Sequence, residues 1–166
     1  MPVYSISKKI FITFFLIAMG TAFFFSCLNS YDRTKFSPKQ TINHYKGSEG
    51  NQGYGEVSSY PMSYREVIEV MHVHAFLIPL IIFVMSRILS MTGTGEGIKT
   101  TVYISAFIGT IMNLSGPYLI RYTSEIFTIF LIASYIILGS CFITFISLPV
   151  YKMWSRVAAG EADYWL

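Results

Sequence analysis

Four long apolar stretches dominate the sequence and restrict what the chain can fold into. They run over residues 10–28, about 71–91, 101–120 and 126–151. Each is close to the roughly 20 residues that an α-helix needs to cross about 30 Å of hydrocarbon. Because backbone polar groups in lipid must be satisfied within the segment itself, we expect all four stretches to be helices.

The composition agrees with a membrane protein and excludes several other classes. Of the 166 residues, 53% are hydrophobic and only 13% are charged, whereas about a quarter of a soluble domain is charged. The net charge of +3 is spread thinly, so no basic cluster indicates nucleic-acid binding. The sequence has no Walker A loop, GxSxG or HExxH motif, and we expect no catalytic activity from this chain alone.

These patterns predict an all-α fold, an integral membrane four-helix bundle that forms a single domain over residues 1–166. Ser63 and Glu66 match a helix capping box, so the second helix is expected to start before its apolar stretch. The predicted helices are about 10–28, 63–91, 100–121 and 125–151. Residues 29–62 are rich in turn-forming residues and are predicted to form an outer loop.

Basic residues near the helix ends predict the orientation. They lie before the first helix, around the turn between the second and third, and after the fourth: Lys8, Lys9, Arg87, Lys99, Lys152 and Arg156. The positive-inside rule then places both termini and the turn between the second and third helices in the cytoplasm. An alternative is a lipoprotein signal with Cys27 as the lipidated residue, which would leave three spanning helices and a lipid anchor.

Two histidines, His72 and His74, lie at the start of the second apolar stretch. Ionisable side chains at membrane depth are costly, and they therefore point to a functional role. At 100° per residue the two are roughly 200° apart, which predicts that one faces the bundle and the other faces away. The third histidine of the chain, His44, lies in the predicted outer loop.

Several chemistries fit these residues. Haem b would take His72 or His74 as an axial ligand, with a methionine, His44 or a partner's histidine as the second ligand and Arg121 beside a propionate. Copper suits a set of imidazole and thioether ligands, and Glu69-x-x-His72 matches one half of a carboxylate-bridged di-metal motif. The candidate metal ligands are therefore His44, Glu69, His72 and His74.

Two further interpretations of the same residues stay open. Histidine, tyrosine and arginine side chains at the interface suit the head group of a quinone in an apolar pocket. Alternatively, the histidines only cap the helix and anchor it at the membrane surface, with no cofactor bound.

Four short motifs resemble those of small, poorly characterised bacterial membrane proteins with a His-x-His at the start of an apolar helix. They are His72-Val-His74-Ala-Phe, Glu96-Gly-Ile-Lys99, Gly116-Pro-Tyr-Leu-Ile-Arg121-Tyr and Tyr151-Lys-Met-Trp154. The resemblance implies a bacterial inner-membrane protein close to electron-transfer components. It implies no particular ligand or activity.

The function predicted from the sequence is a small, non-catalytic subunit of a larger bacterial membrane complex, of respiratory or electron-transfer type. It would contact the lipid bilayer and other membrane subunits, and it would hold haem b or a metal through His72 or His74. The alternatives are a structural or assembly subunit without a cofactor, and a transporter or channel component. No charged residue lies at the predicted middle of any helix, which disfavours a transport pathway.

Overall fold

The computed structural model describes residues 5–48 and 60–158, with side chains as far as residue 155. Within these ranges the chain forms five helices and no strand, so the predicted all-α class is confirmed. The helices are α1 (Ile6–Thr34), α2 (Pro38–Lys46), α3 (Tyr64–Ser90), α4 (Glu96–Tyr122) and α5 (Phe127–Ala158).

Among the described residues, three helices are long and apolar enough to cross a membrane, namely α1, α3 and α5. The sequence predicts four, and the difference is α4. This helix has 27 residues, as many as α3, but Gly109, Thr110 and Asn113 interrupt its apolar stretch. Polar residues are tolerated in a helix that other protein segments surround, and α4 packs against α2, α3 and α5.

Part of the segment predicted as an outer loop, residues 29–62, is helical, and the prediction is wrong there. α1 continues to Thr34, after which the chain turns through Lys35 and Phe36, both in the left-handed region with φ of 46° and 51°. α2 then begins with Pro38 in its first turn. A Ser-Pro step is a helix start signal, but it lies within a segment whose overall composition is typical of turns.

The predicted capping box at the start of α3 is confirmed. The Glu66 backbone N–H donates to the Ser63 hydroxyl at 3.3 Å, and the Ser63 backbone N–H donates to Glu66 Oε2 at 2.7 Å. Pro79 lies within α3 and does not end it.

The most extensive helix packing is between α4 and α5. Gly109 and Gly116 let the two helices approach closely, and a Cβ at Gly116 would lie 2.9 Å from Leu131 Cδ1. The Asn113 amide donates across the same interface to the Ser134 hydroxyl at 3.2 Å. Small residues and interhelical hydrogen bonds are what holds membrane helices together, because lipid supplies no hydrophobic drive between them.

Buried clusters close both ends of the helix assembly. The cluster nearer the α3–α4 turn consists of Leu16, Met85, Leu89, Val102, Ala106, Cys141, Phe145 and Met153. At the opposite end, which we call the α2 end, Tyr45 of α2 packs with Ile120 and Leu131. The Lys46 ammonium pairs with the Glu125 carboxylate at 3.1 Å, so α2 is held against the α4–α5 turn as a cap.

Candidate functional site

A cavity separates α1 from α3. α1 packs against α2 and α5, α3 packs against α4 and α5, and the described residues of α1 and α3 make no close backbone contact with each other. The space between them has a volume of about 610 Å³ and is lined by residues of all five helices. This volume lies within the roughly 300–1,000 Å³ that is usual for small-molecule pockets.

The walls of the cavity are largely apolar. The aliphatic and aromatic side chains that line it include Met19, Phe23, Ile78, Ile81, Leu138 and Phe142. Phe23 of α1 and Phe142 of α5 stack with their ring centroids 4.4 Å apart. A surface of this kind favours contact with hydrocarbon over contact with water.

Polar side chains line the cavity at the α2 end. Arg33 comes from the last turn of α1, His44 and Tyr45 come from α2, and Tyr135 comes from α5. The Arg33 Nε–H donates to the Asn29 side-chain oxygen at 3.2 Å. Among the described residues, no carboxylate forms an ion pair with Arg33.

The α2 end of the cavity carries one fixed positive charge. Burial and the nearby Arg33 guanidinium hold the pKa of His44 below its usual 6.5, and the imidazole is therefore neutral near pH 7. Burial likewise raises the pKa of the Tyr45 phenol above 10.0. Of the described residues that line the cavity, Arg33 is the one arginine or lysine, and none is an aspartate or glutamate.

His74 and Asn113 line the cavity farther from the α2 end. Each lies roughly nine or ten residues from the α2 end of its helix, which is about 15 Å at 1.5 Å per residue. The distance from His74 Nδ1 to the Val70 carbonyl oxygen is 2.7 Å. Because a carbonyl oxygen only accepts, Nδ1 carries the proton in the neutral ring, and Nε2 keeps its lone pair to accept a hydrogen bond or bind a metal.

The predicted metal-ligand set is not brought together. His72 lies on an exposed face of α3, outside the cavity lining that contains His44 and His74. Glu69 accepts a hydrogen bond from Arg65 Nε at 3.0 Å, so the carboxylate pairs with an arginine one helical turn away. In the described part of the chain, no group of three or more histidine, cysteine, aspartate or glutamate side chains is arranged to hold a metal ion.

Arg121, predicted beside a haem propionate, lies outside the cavity lining. Its Nε–H donates to the Met62 carbonyl at 3.0 Å, and its guanidinium carbon is 5.5 Å from the Tyr122 ring centroid. The Met62 backbone N–H in turn donates to the Tyr45 carbonyl at 3.2 Å. Arg121 therefore joins the chain before α3 to α2 and holds the cap in place.

Sequence reasoning missed the cavity and several residues that line it, including Arg33, Tyr45 and Tyr135. The Ser-Pro start of α2 was the available signal for a cap that carries His44 and Tyr45. The cavity exists because α1 and α3 do not pack against each other. The hydrophobic periodicity of a single sequence does not indicate which helices pack together.

Comparison with known proteins identifies the class of domain. Residues 35–160 match the Aq_1264_TM family, which is described as a transmembrane helical domain. No curated protein and no solved structure matches the chain. The match covers more than half of the chain, so the chain belongs to this family, and its apolar helices contact the lipid bilayer.

Proposed function

We propose that this member of the transmembrane helical domain family is a non-catalytic membrane subunit that binds an amphiphilic molecule drawn from the bilayer. The observation that carries the proposal is the cavity of about 610 Å³ between α1 and α3. Its apolar walls suit a hydrocarbon chain, and the polar side chains at its α2 end suit a head group. An apolar pocket with a few polar groups at one point is the usual form of a ligand site.

The gap between α1 and α3 supports access from lipid. Both helices belong to the set that is apolar enough to cross a membrane, so an opening between them faces hydrocarbon. The cap built from α2 and Met62 closes the α2 end through the Lys46–Glu125 ion pair and the Arg121–Met62 hydrogen bond. A molecule that enters from the bilayer between α1 and α3 keeps its hydrocarbon chain in an apolar medium throughout. This route avoids the free-energy cost of transferring that chain through water.

A matched pair of substitutions tests the proposal. Ala22 lines the cavity, whereas Ala75 is exposed on α3 outside it. Native mass spectrometry of protein released gently from membranes should show a bound amphiphile on the wild type and on Ala75→Phe. Ala22→Phe, which places a ring in the cavity, should reduce the bound fraction. Equal occupancy in all three proteins would contradict the proposal.

The proposed setting is a bacterial inner membrane, with both termini cytoplasmic and the α2 end on the outer side. Lys8 and Lys9 lie in the first turn of α1 and Arg87 lies in the last turn of α3, and this distribution supports the orientation. α4 is proposed as a fourth crossing helix, because its 27 residues span about 40 Å and it packs along α5. Alkaline phosphatase fused within residues 49–59 should be active, and fusions after residue 158 should be inactive.

A redox role in a respiratory complex is a second candidate, and one observation favours it. His74 and His44 line the same cavity at different distances from its α2 end, so an extended group held there, a haem b or a quinone, would come within reach of both, and a copper ion would be bound by one of the two. A reduced-minus-oxidised spectrum with metal analysis on protein kept with its co-purifying subunits tests this role. A signal that is lost in His74→Ala and retained in His72→Ala would support it, and a blank spectrum with no metal would count against bound haem and copper.

A further inference from the structure

We infer that the head group bound at the α2 end of the cavity is anionic and that the occupant is an anionic phospholipid of the surrounding bilayer. The inference rests on the proposed amphiphile-binding function and adds the chemistry of the ligand. The observation behind it is the pairing of an apolar cavity with one cation, Arg33, that forms no ion pair with any carboxylate of residues 5–48 and 60–155.

The charges around the cavity are strongly one-sided. Arg33 lines the cavity, and no aspartate or glutamate of the described residues does. Asp32, which precedes Arg33 in the sequence, pairs with Lys35 at 3.4 Å, and Glu125 pairs with Lys46 at 3.1 Å. Within the described ranges, the Arg33 guanidinium therefore keeps its remaining N–H groups for an anion.

Arginine suits a phosphate head group better than a neutral one. Its planar guanidinium presents several N–H donors that match two phosphate oxygens at once. Arg33 uses Nε to bond the Asn29 side chain, which orients the guanidinium and leaves its terminal nitrogens as donors.

The neighbouring polar groups complete a site for a neutral or negative ligand, not for a cation. His44 is neutral near pH 7, because burial and Arg33 hold its pKa below 6.5, and a neutral imidazole donates one hydrogen bond. Tyr45 keeps its phenolic proton because burial raises its pKa, and its oxygen accepts a hydrogen bond from Tyr135, which leaves the Tyr45 hydroxyl as a donor. These are donors for phosphate or glycerol oxygens, and they add no negative charge that would repel the ligand.

The geometry of the cavity agrees with a lipid chain beneath that head group. From Arg33 at the α2 end, the lining continues past His74 and Asn113 to Met19 and Ile81 nearer the middle of the helices. A phosphate at Arg33 therefore leaves an attached acyl chain among apolar walls, with its open side toward the gap between α1 and α3 and the bilayer beyond.

The test compares two lipids with the same acyl chains, phosphatidylglycerol and diacylglycerol, added to delipidated full-length protein in a neutral detergent. Binding is measured by native mass spectrometry. Phosphatidylglycerol should bind about tenfold or more tightly than diacylglycerol, because a charge-assisted hydrogen bond to phosphate supplies about that factor. Arg33→Gln should remove this preference, and Arg33→Lys should retain part of it.

Arg65→Gln is the matched control, because Arg65 pairs with Glu69 on an exposed face of α3 away from the cavity. It should leave the preference for phosphatidylglycerol unchanged. Equal binding of both lipids to the wild type, or an unchanged preference in Arg33→Gln, would overturn the anionic assignment while the amphiphile-binding function stands. Failure of both lipids, and of any co-purified amphiphile, to bind the wild type would contradict the proposed function as well.

Discussion

The close approach of α4 and α5 predicts how the fold responds to a single added methyl group. At Gly116 a Cβ would lie 2.9 Å from Leu131 Cδ1 and 3.1 Å from Leu131 Cβ. Leu131 is only 1% exposed, and although its side chain borders the cavity, rotating Cδ1 away would leave the contact with Leu131 Cβ, because the backbone fixes the position of Cβ. Gly139, in the middle of α5, is the matched control, because its added Cβ would meet nothing closer than Phe23 Cζ at 3.9 Å.

The expected size of the effect comes from two opposing terms. Replacing glycine by alanine inside a helix favours folding by about 0.8–1.0 kcal/mol through helix propensity, and overpacking a core costs about 1–3 kcal/mol. Gly139→Ala should therefore leave the free energy of unfolding unchanged or raise it by up to about 1 kcal/mol. Gly116→Ala should lower it by up to about 2 kcal/mol once the propensity gain is subtracted from the packing cost.

Reversible unfolding in mixed micelles of mild detergent and SDS, followed by far-UV circular dichroism, measures both variants against the wild type. Truncating Leu131 should relieve its overlap with the Cβ added at position 116. Leu131→Ala should therefore lower the free energy of unfolding less in the Gly116→Ala background than in the wild type. The reasoning is refuted if Gly116→Ala is as stable as Gly139→Ala, because the contact between α4 and α5 would then be looser than these distances indicate.

Two further predictions concern polar groups. Ser134→Ala removes the acceptor of the Asn113 hydrogen bond between α4 and α5. It should lower the free energy of unfolding by about 0.6 kcal/mol, and by up to about 1.7 kcal/mol. The same unfolding assay should show a smaller decrease for the control Ser147→Ala, because the exposed Ser147 hydroxyl bonds only within its own helix. Acid should destabilise the fold through His44. Burial and Arg33 keep the pKa of His44 in the folded protein below 6.5, so the unfolded state takes up the proton at a higher pH than the folded state does. The stability that is present above about pH 6.5 is therefore lost as the pH falls. His44→Gln should reduce the drop in Tm between about pH 7 and pH 5, and an unchanged drop would count against this role.

The sequence predicts the parts of the fold that depend on local chemistry. Apolar length predicts the spans of α1, α3 and α5, and the Ser63–Glu66 pair predicts the start of α3, because capping requires only neighbouring side chains. α4 departs from the prediction because neighbouring helices form much of its environment. A helix that contacts three others can carry glycines and an asparagine that would be costly against hydrocarbon.

The site is less accessible to sequence reasoning, because it depends on tertiary placement. Helical spacing predicts that His72 and His74 face different directions, but not that His74 lines a cavity and His72 lies outside it. Arg121 shows the same limit. A basic residue at a helix end suggests an anionic ligand, and its actual partner is the Met62 carbonyl, which lies far away in the sequence. Arg33 is the residue on which the anion-binding inference rests, and no motif in the sequence around it indicates a binding site.

The most direct test of an occupied cavity uses a thiol already present. Cys27 lines the cavity, and Cys141 is buried in the cluster near the α3–α4 turn. The rate at which a small lipid-soluble maleimide labels each thiol is measured by mass spectrometry before delipidation, after it, and after phosphatidylglycerol is added back. The account predicts that the labelling of Cys27 accelerates on delipidation and slows again with the lipid, while that of Cys141 stays constant. A labelling rate of Cys27 that is the same in all three conditions would contradict it.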